Sequence, residues 1–220
     1  MSTCAAVLAV TLAFPLSAIA SPGPALDDAV SAALNSELAE IAAASDGTVS
    51  FSDVSVDVSP ELVQAAGSND PAAIADFIVD EAERSQKTQA SPVSSLARAA
   101  SPQSVSAVST TVNYTADQNT TLPSFGVAWV NQDMSVTFTG NTINSVRLKG
   151  NSYGTGISIF AYSHINTTLE YRKSRTCLYT HMKGTFSAIV KGSAVNFAAT
   201  VLATDAPRGG RMVSLLYSDC

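Results

Sequence analysis

Charge is scarce in this 220-residue chain: 14% of residues are charged and 7% aromatic, with one Trp, two His and three Cys. With Ser, Thr and Ala abundant, that suits an exported chain whose surface carries hydroxyls rather than ions. The two histidines, His164 and His181, fall on different segments, and no H-x-x-x-H, C-x-x-C or D-x-D-G pattern accompanies them. A metal needs three or four converging ligands, so no local metal motif is present and no cofactor is expected. No G-x-S-x-G turn occurs, and a Ser-His-Asp constellation would have to be assembled in space. Gly154-Thr155-Gly156 lacks the helix and Lys of a phosphate cradle. Trp129 does not lie between Cys177 and Cys220, which excludes the immunoglobulin Cys…Trp…Cys order. Glu170 and Asp133 are the only acids of the C-terminal half that would suit a paired-carboxylate mechanism.

Long apolar runs are also missing after the first 20 residues. Residues 1–20 read as a secretory signal peptide: Ala5 to Ala18 is mostly apolar and too short to span a membrane, and Ala18-Ile19-Ala20 is an A-x-A cleavage pattern. The absence of Lys or Arg in Met1-Ser2-Thr3-Cys4 departs from that pattern. Export implies an extracellular location and an oxidising compartment. Cys4 leaves with the leader, so Cys177 and Cys220 are expected to form one disulfide. It would close a loop of about 43 residues and contribute on the order of 2–4 kcal/mol.

What charge there is lies unevenly. Residues 21–110 hold 13 acids against three basic side chains, net −10, whereas residues 111–220 hold nine basic side chains against five acids, net +4. The acidic segment, residues 21–83, is a small helix-rich α+β unit and a candidate propeptide. Leu26, Val30, Leu34, Leu38 and Ile41 recur at helical spacing, and Asp46-Gly47 stops that helix. Thr48 to Val58 alternates but changes phase, which predicts a bulge near Ser52-Asp53. Ser59-Pro60 and Asp70-Pro71 each read as an N-cap followed by Pro at the first helical position. Residues 84–110, rich in Ser, Ala, Gln and Pro, read as a flexible linker in which Arg98 offers a trypsin-like cleavage point.

Residues 111–220 form a basic, mainly β domain, expected as an antiparallel sandwich or small barrel. Strands are expected over Thr111–Ala116, Ser124–Val130, Met134–Thr139, Thr142–Lys149, Gly156–Ser163, Thr167–Lys173 and Arg211–Ser218. Turns are expected at Asn131-Gln132-Asp133 and Gly140-Asn141, and a bulge around Asn144-Ser145. The clearest element is a ribbon over Thr176–Thr204. Gly192-Ser193 reads as its type II′ turn, pairing Val190 with Val195 and Phe186 with Ala199. Alternation then puts Leu178, Met182, Phe186, Val190, Val195, Phe197 and Val201 on one apolar face. Cys177, Tyr179, His181, Lys183, Thr185 and Asn196 fall on the other.

The concentrated polar feature is Arg172-Lys173-Ser174-Arg175 at a hairpin tip, followed by Tyr179, His181 and Lys183 on the ribbon's polar face. It reads either as a solvated turn that discourages edge pairing or as a binding patch for an anionic envelope polymer, a membrane surface or nucleic acid. Asn113, Asn119 and Asn166 each start an N-x-T sequon. The function expected is an exported, non-enzymatic β domain that binds an envelope or extracellular ligand. The alternative is a toxin or antimicrobial precursor whose acidic segment pairs with and masks the basic domain until the linker is cut; an exported hydrolase ranks third.

Overall fold

A computed structural model describes residues 23–87, 108–119, 129–155 and 159–220. The expected signal peptide, nearly all of the expected linker including Arg98, the expected strand at Ser124–Val130 apart from its end, the first three residues of the one expected at Gly156–Ser163, and Asn119's side chain lie outside the described parts. The chain opens with α1 (Pro24–Ala44), whose stripe of Val30, Leu34 and Leu38 is fully buried. Asp46 and Gly47, both at positive φ, turn it into β1 (Val49–Asp57). The bulge falls where the phase change predicts it, between Ser52 and Ser55. Ser59 caps α2 (Pro60–Ala66) by accepting the Leu62 N–H at 3.0 Å, and left-handed Gly67 ends it. α3 (Pro71–Lys87) follows, burying Ile74, Ile78 and Ala82.

The rest is antiparallel strand: β2 (Ser109–Asn119), β3 (Trp129–Thr139), β4 (Thr142–Leu148), β5 (Tyr153–Thr155) and β6 (Ala161–Arg172), then β7 (Cys177–Val190), β8 (Ser193–Arg208) and β9 (Arg211–Ser214). Sheet A runs β1-β8-β7-β6, with β9 also paired to β8; sheet B runs β2-β3-β4, with β5 also paired to β3. The mainly β architecture with a helical N-terminal segment is as expected from the sequence. The two halves share one core: β1 pairs along β8 from Val49↔Val201 to Asp57↔Ala194, and the buried faces of α1 and α3 join the same apolar cluster as β7 and β8.

Four expectations are corrected. The ribbon's turn is Lys191-Gly192, both at positive φ (47° and 80°), so it is type I′ and not Gly192-Ser193 type II′. Val190 therefore faces Ser193 and Phe186 faces Phe197. Both registers place the same parity of residue opposite, so the apolar face is unchanged and buried throughout. The turn is drawn one residue back by tertiary contacts: Ser59 Oγ donates to the Lys191 carbonyl at 2.7 Å, and Ser193 Oγ accepts the Ser59 N–H at 2.7 Å.

Secondly, Asn131-Gln132-Asp133 is no turn but part of β3. Asn131 and Gln132 are buried and bonded instead: Asn131 donates to Thr155 Oγ1 at 2.8 Å, and Gln132 Nε2 donates to the Asp133 and Gly150 carbonyls. Thirdly, Ser163 and Thr167–Arg172 belong to one strand, β6, which passes through a bulge between His164 and Asn166. Fourthly, β9 ends at Ser214; Tyr217–Asp219 form a 3-10 turn that carries Cys220 to Cys177, where the disulfide closes at 2.06 Å. The Asn144 bulge stands as expected, since Thr137 faces Ser145 while Phe138 faces Ile143.

Phe197 is the centre of the ribbon's inner face. It stacks on Phe186 at 5.4 Å, meets Phe51 edge-on at 5.7 Å and lies against the tilted ring of Phe160 at 5.1 Å. Beside it Tyr162 lies across Gly184, where an added Cβ would stand 2.1 Å from the ring and 2.8 Å from the Ser163 carbonyl. Overpacking of this kind costs about 1–3 kcal/mol. Gly184→Ala is thus expected to lower the unfolding free energy by about 1–3 kcal/mol, seen as a lower urea midpoint without a change of slope; an unchanged midpoint would mean the ring is not seated there.

Candidate functional site

Alternation on β6, β7 and β8 brings the sequence-predicted residues to the outer face of sheet A, away from sheet B. Glu170 faces Tyr179, Thr168 faces His181 and Arg172 faces Cys177, all in the outward phase. Arg172 pairs with Glu170 at 2.6 Å, and its guanidinium lies 5.5 Å from the Tyr179 ring centre. His181 Nε2 is 3.6 Å from the other oxygen of Glu170. Tyr179 is buried because Tyr217, on the tail pinned by the disulfide, packs over it at 5.5 Å. Lys183 continues the row, opposite Thr200 and Asn166.

Arg175 is employed elsewhere. Its Nε and Nη2 donate to the carbonyls of Ile143 and Asn144 at 2.6 and 2.7 Å, its own carbonyl accepts the Ile143 N–H, and it stacks on Tyr171 at 4.0 Å. It fastens the β6–β7 tip to sheet B. Lys173, at positive φ, projects from the exposed turn. The structure therefore joins Arg172, Tyr179, His181 and Lys183 and draws Arg175 away. Glu170 and Tyr217 complete the group. Glu170 shares Arg172's phase two residues away and was readable; Tyr217 is placed by the disulfide and was not.

Two polar clusters lie inward. Ser152, 3% exposed, gives its N–H (3.3 Å) and its hydroxyl (2.7 Å) to His164 Nδ1, and its Oγ lies 2.7 Å from the Tyr162 hydroxyl. Because Nδ1 accepts the backbone N–H, the order is Tyr162 to Ser152 to His164. This seals the loop before β5 against β6. Burial also raises the Tyr162 pKa, against a smaller lowering from Ser152. Asp133 and Glu170 do not meet: Asp133 bonds Thr115 and Tyr153 on sheet B, while Glu170 is on the outer face of sheet A. Among the described residues no group of three or more His, Cys, Asp and Glu is placed to hold a metal.

The second cluster links the sheets. Asp205, fully buried, accepts the Tyr114 hydroxyl at 2.8 Å through Oδ1, while its Oδ2 and the diagonally placed Thr180 Oγ1 have no hydrogen-bond partner. Desolvation raises the Asp205 pKa to about 7, opposed by the Tyr114 hydrogen bond and assisted by the charge of Asp117. Burial, then Asp205, raises Tyr114 as well.

No protein-family model matches this chain, and neither a curated protein nor a solved structure is detectably similar to it.

A carboxyl whose folded pKa is raised binds more protons folded than unfolded between about pH 4 and 7, so its contribution to stability falls as pH rises through that window. Asp205→Asn keeps an acceptor for Tyr114 and removes the charge. Its melting temperature is expected to exceed that of the parent at pH 8, with the gap closing towards pH 5. A gap that stays constant with pH would show that Asp205 does not titrate in the fold.

Proposed function

We propose that this is an exported, non-enzymatic β protein that binds an envelope or extracellular ligand on the outer face of sheet A. The observation that carries the reading is the convergence there of Arg172, His181 and Lys183 beside the Tyr179–Tyr217 pair. Export is supported by the leader pattern of residues 1–20 and by the Cys177–Cys220 disulfide, which an oxidising compartment sustains. Among the described residues no helix is long and apolar enough to cross a membrane. Arg172 is already paired with Glu170, and Arg175 with carbonyls, so the face offers hydrogen-bonding groups and a ring more than net charge.

In the precursor alternative the acidic segment leaves after cleavage. Against it stand the pairing of β1 with β8 and the ion pair of Lys191 with Glu81 at 2.9 Å. Departure would expose Val195, Phe197, Ala199 and Val201 and open the long edge of β8, a template for aggregation. After tryptic cleavage at Arg98 the two fragments are expected to co-elute on size exclusion in native buffer. Their separation, with a soluble C-terminal fragment, would favour the masked precursor.

Binding is tested by sedimenting the mature protein with extracellular and envelope polymers of the producing cell. Arg172→Glu with Lys183→Glu is expected to weaken co-sedimentation roughly tenfold, with circular dichroism unchanged. Equal sedimentation of parent and variant would remove this face from the function.

A further inference from the structure

The registers of sheet A define a pattern that no single strand displays. One row across the outer face reads Ser50, Thr200, Lys183, Asn166; the next reads Ser52, Ala198, Thr185, Ser163; the third reads Ser55, Asn196, Ser187, Ala161. Of these only Lys183 is charged and none is aromatic. The edge-strand members are exposed, and Thr185, Ser187, Asn196 and Thr200 are half-buried by one another.

Both edge-strand bulges preserve the pattern. Ser52 and Ser55, three residues apart, would face opposite ways in a regular strand, as would Ser163 and Asn166. The bulges at Asp53-Val54 and at Ile165 return each pair to the outer face. The result is a field mostly of short hydroxyl and amide side chains, roughly 15 Å across four strands and 13 Å along them. Hydroxyls and amides donate and accept alike, so the field suits a partner that does the same. Within the rows Lys183 is the one charged side chain, and at the β1 edge the Asp53 carboxylate accepts the Ser52 hydroxyl at 2.9 Å. So largely neutral a field matches a neutral partner, and its extent over three rows suits one that is extended and engages several rows at once.

Resting on the binding face proposed above, we infer that the ligand is a neutral, extended polysaccharide lying across the Ser/Thr/Asn rows. The charged group around Arg172 then borders the site.

The test uses full-length protein made in a bacterial periplasm, which oxidises the disulfide and leaves Asn166, an N-x-T position at the end of a row, unmodified. Sedimentation with cellulose, chitin and insoluble β-1,3-glucan is compared with binding to heparin and to anionic vesicles. Thr185→Glu with Ser187→Glu puts two charges amid the rows at solvent-facing positions; circular dichroism and melting check the fold. Co-sedimentation with at least one neutral polymer is expected, unchanged between about 50 and 500 mM salt. The double variant should bind roughly tenfold more weakly or less, since charge is desolvated without a partner. Binding only to heparin or vesicles, lost with Arg172→Glu and kept by Thr185→Glu/Ser187→Glu, overturns this inference and leaves the binding face standing. Neutral binding undiminished in the double variant overturns the assignment to the rows. No binding to any of these polymers overturns the inference, and if material from the producing cell also fails to bind, the face itself falls.

Discussion

The inner face of the β7–β8 ribbon is the surface that every other element serves. With β8 at 16 residues, the ribbon extends about 50 Å, longer than the strands of sheet B. Its alternation is apolar from Leu178 to Val190 and from Val195 to Val201, so the whole length must be kept from water. No single layer does so. Sheet B covers the end that carries Leu178, Met182 and Asp205, while α1, α3 and β1 cover the end that carries Val190, Val195 and Phe197. Phe197, touching Phe51 of β1, Phe160 just before β6 and Phe186 of β7, ties three segments of sheet A together on that face.

Apolar burial alone would leave the two sheets free to slide, because it has no direction. Three polar links between them supply one. Thr167 donates to Gln132 Oε1 at 2.8 Å, Tyr114 to Asp205 at 2.8 Å, and Arg175 to the carbonyls of Ile143 and Asn144. Gln132 is satisfied at both ends of its amide, which makes its full burial affordable. Asp205 is not: one oxygen is bonded and one is bare, and its raised pKa is the response of a buried carboxyl that is more stable neutral.

What was legible follows from the range of the forces involved. Helix stripes, caps and strand phases are local, and Leu26 to Ile41, Ser59-Pro60 and both faces of the ribbon read directly from spacing. The turn did not, because Gly192 satisfies the first position of a type II′ turn as well as the second of a type I′, and the choice lies with Ser59, over 130 residues away. Asn131-Gln132-Asp133 has turn composition, and only partners from β5, β6 and the Gly150 loop reveal it as buried strand. Charge suggested two separable halves; the pairing of β1 with β8 joins residues nearly 150 positions apart, and no local signal marks it. For the site, the cluster of cations was plain in the sequence, but whether each is spent on packing, as Arg175 is, depends on the facing sheet.

The outer face poses the opposite problem from the inner one. Among the described residues, sheet A ends on β6 at one side and on β1, with β9 beyond it along β8, at the other, and a sheet edge invites pairing with another chain. One defence is charge, and β1 carries Asp53 and Asp57 while β6 carries Glu170 and Arg172; between these, Ser50, Ser52, Ser55, Ser163 and Asn166 put short neutral side chains on the edges. The second defence is geometric: β1 and β6 are each broken by a bulge, with Asp53 held at a φ of 54°, so neither presents a long regular ladder. Bulges that merely disrupted pairing could carry any residue in either phase. Here each one re-phases the strand so that the small polar residues on both sides of it stay outward. Edge protection through bulges keeps the middle rows of the face free of all charge but Lys183, which charged residues at those edge positions would not have done.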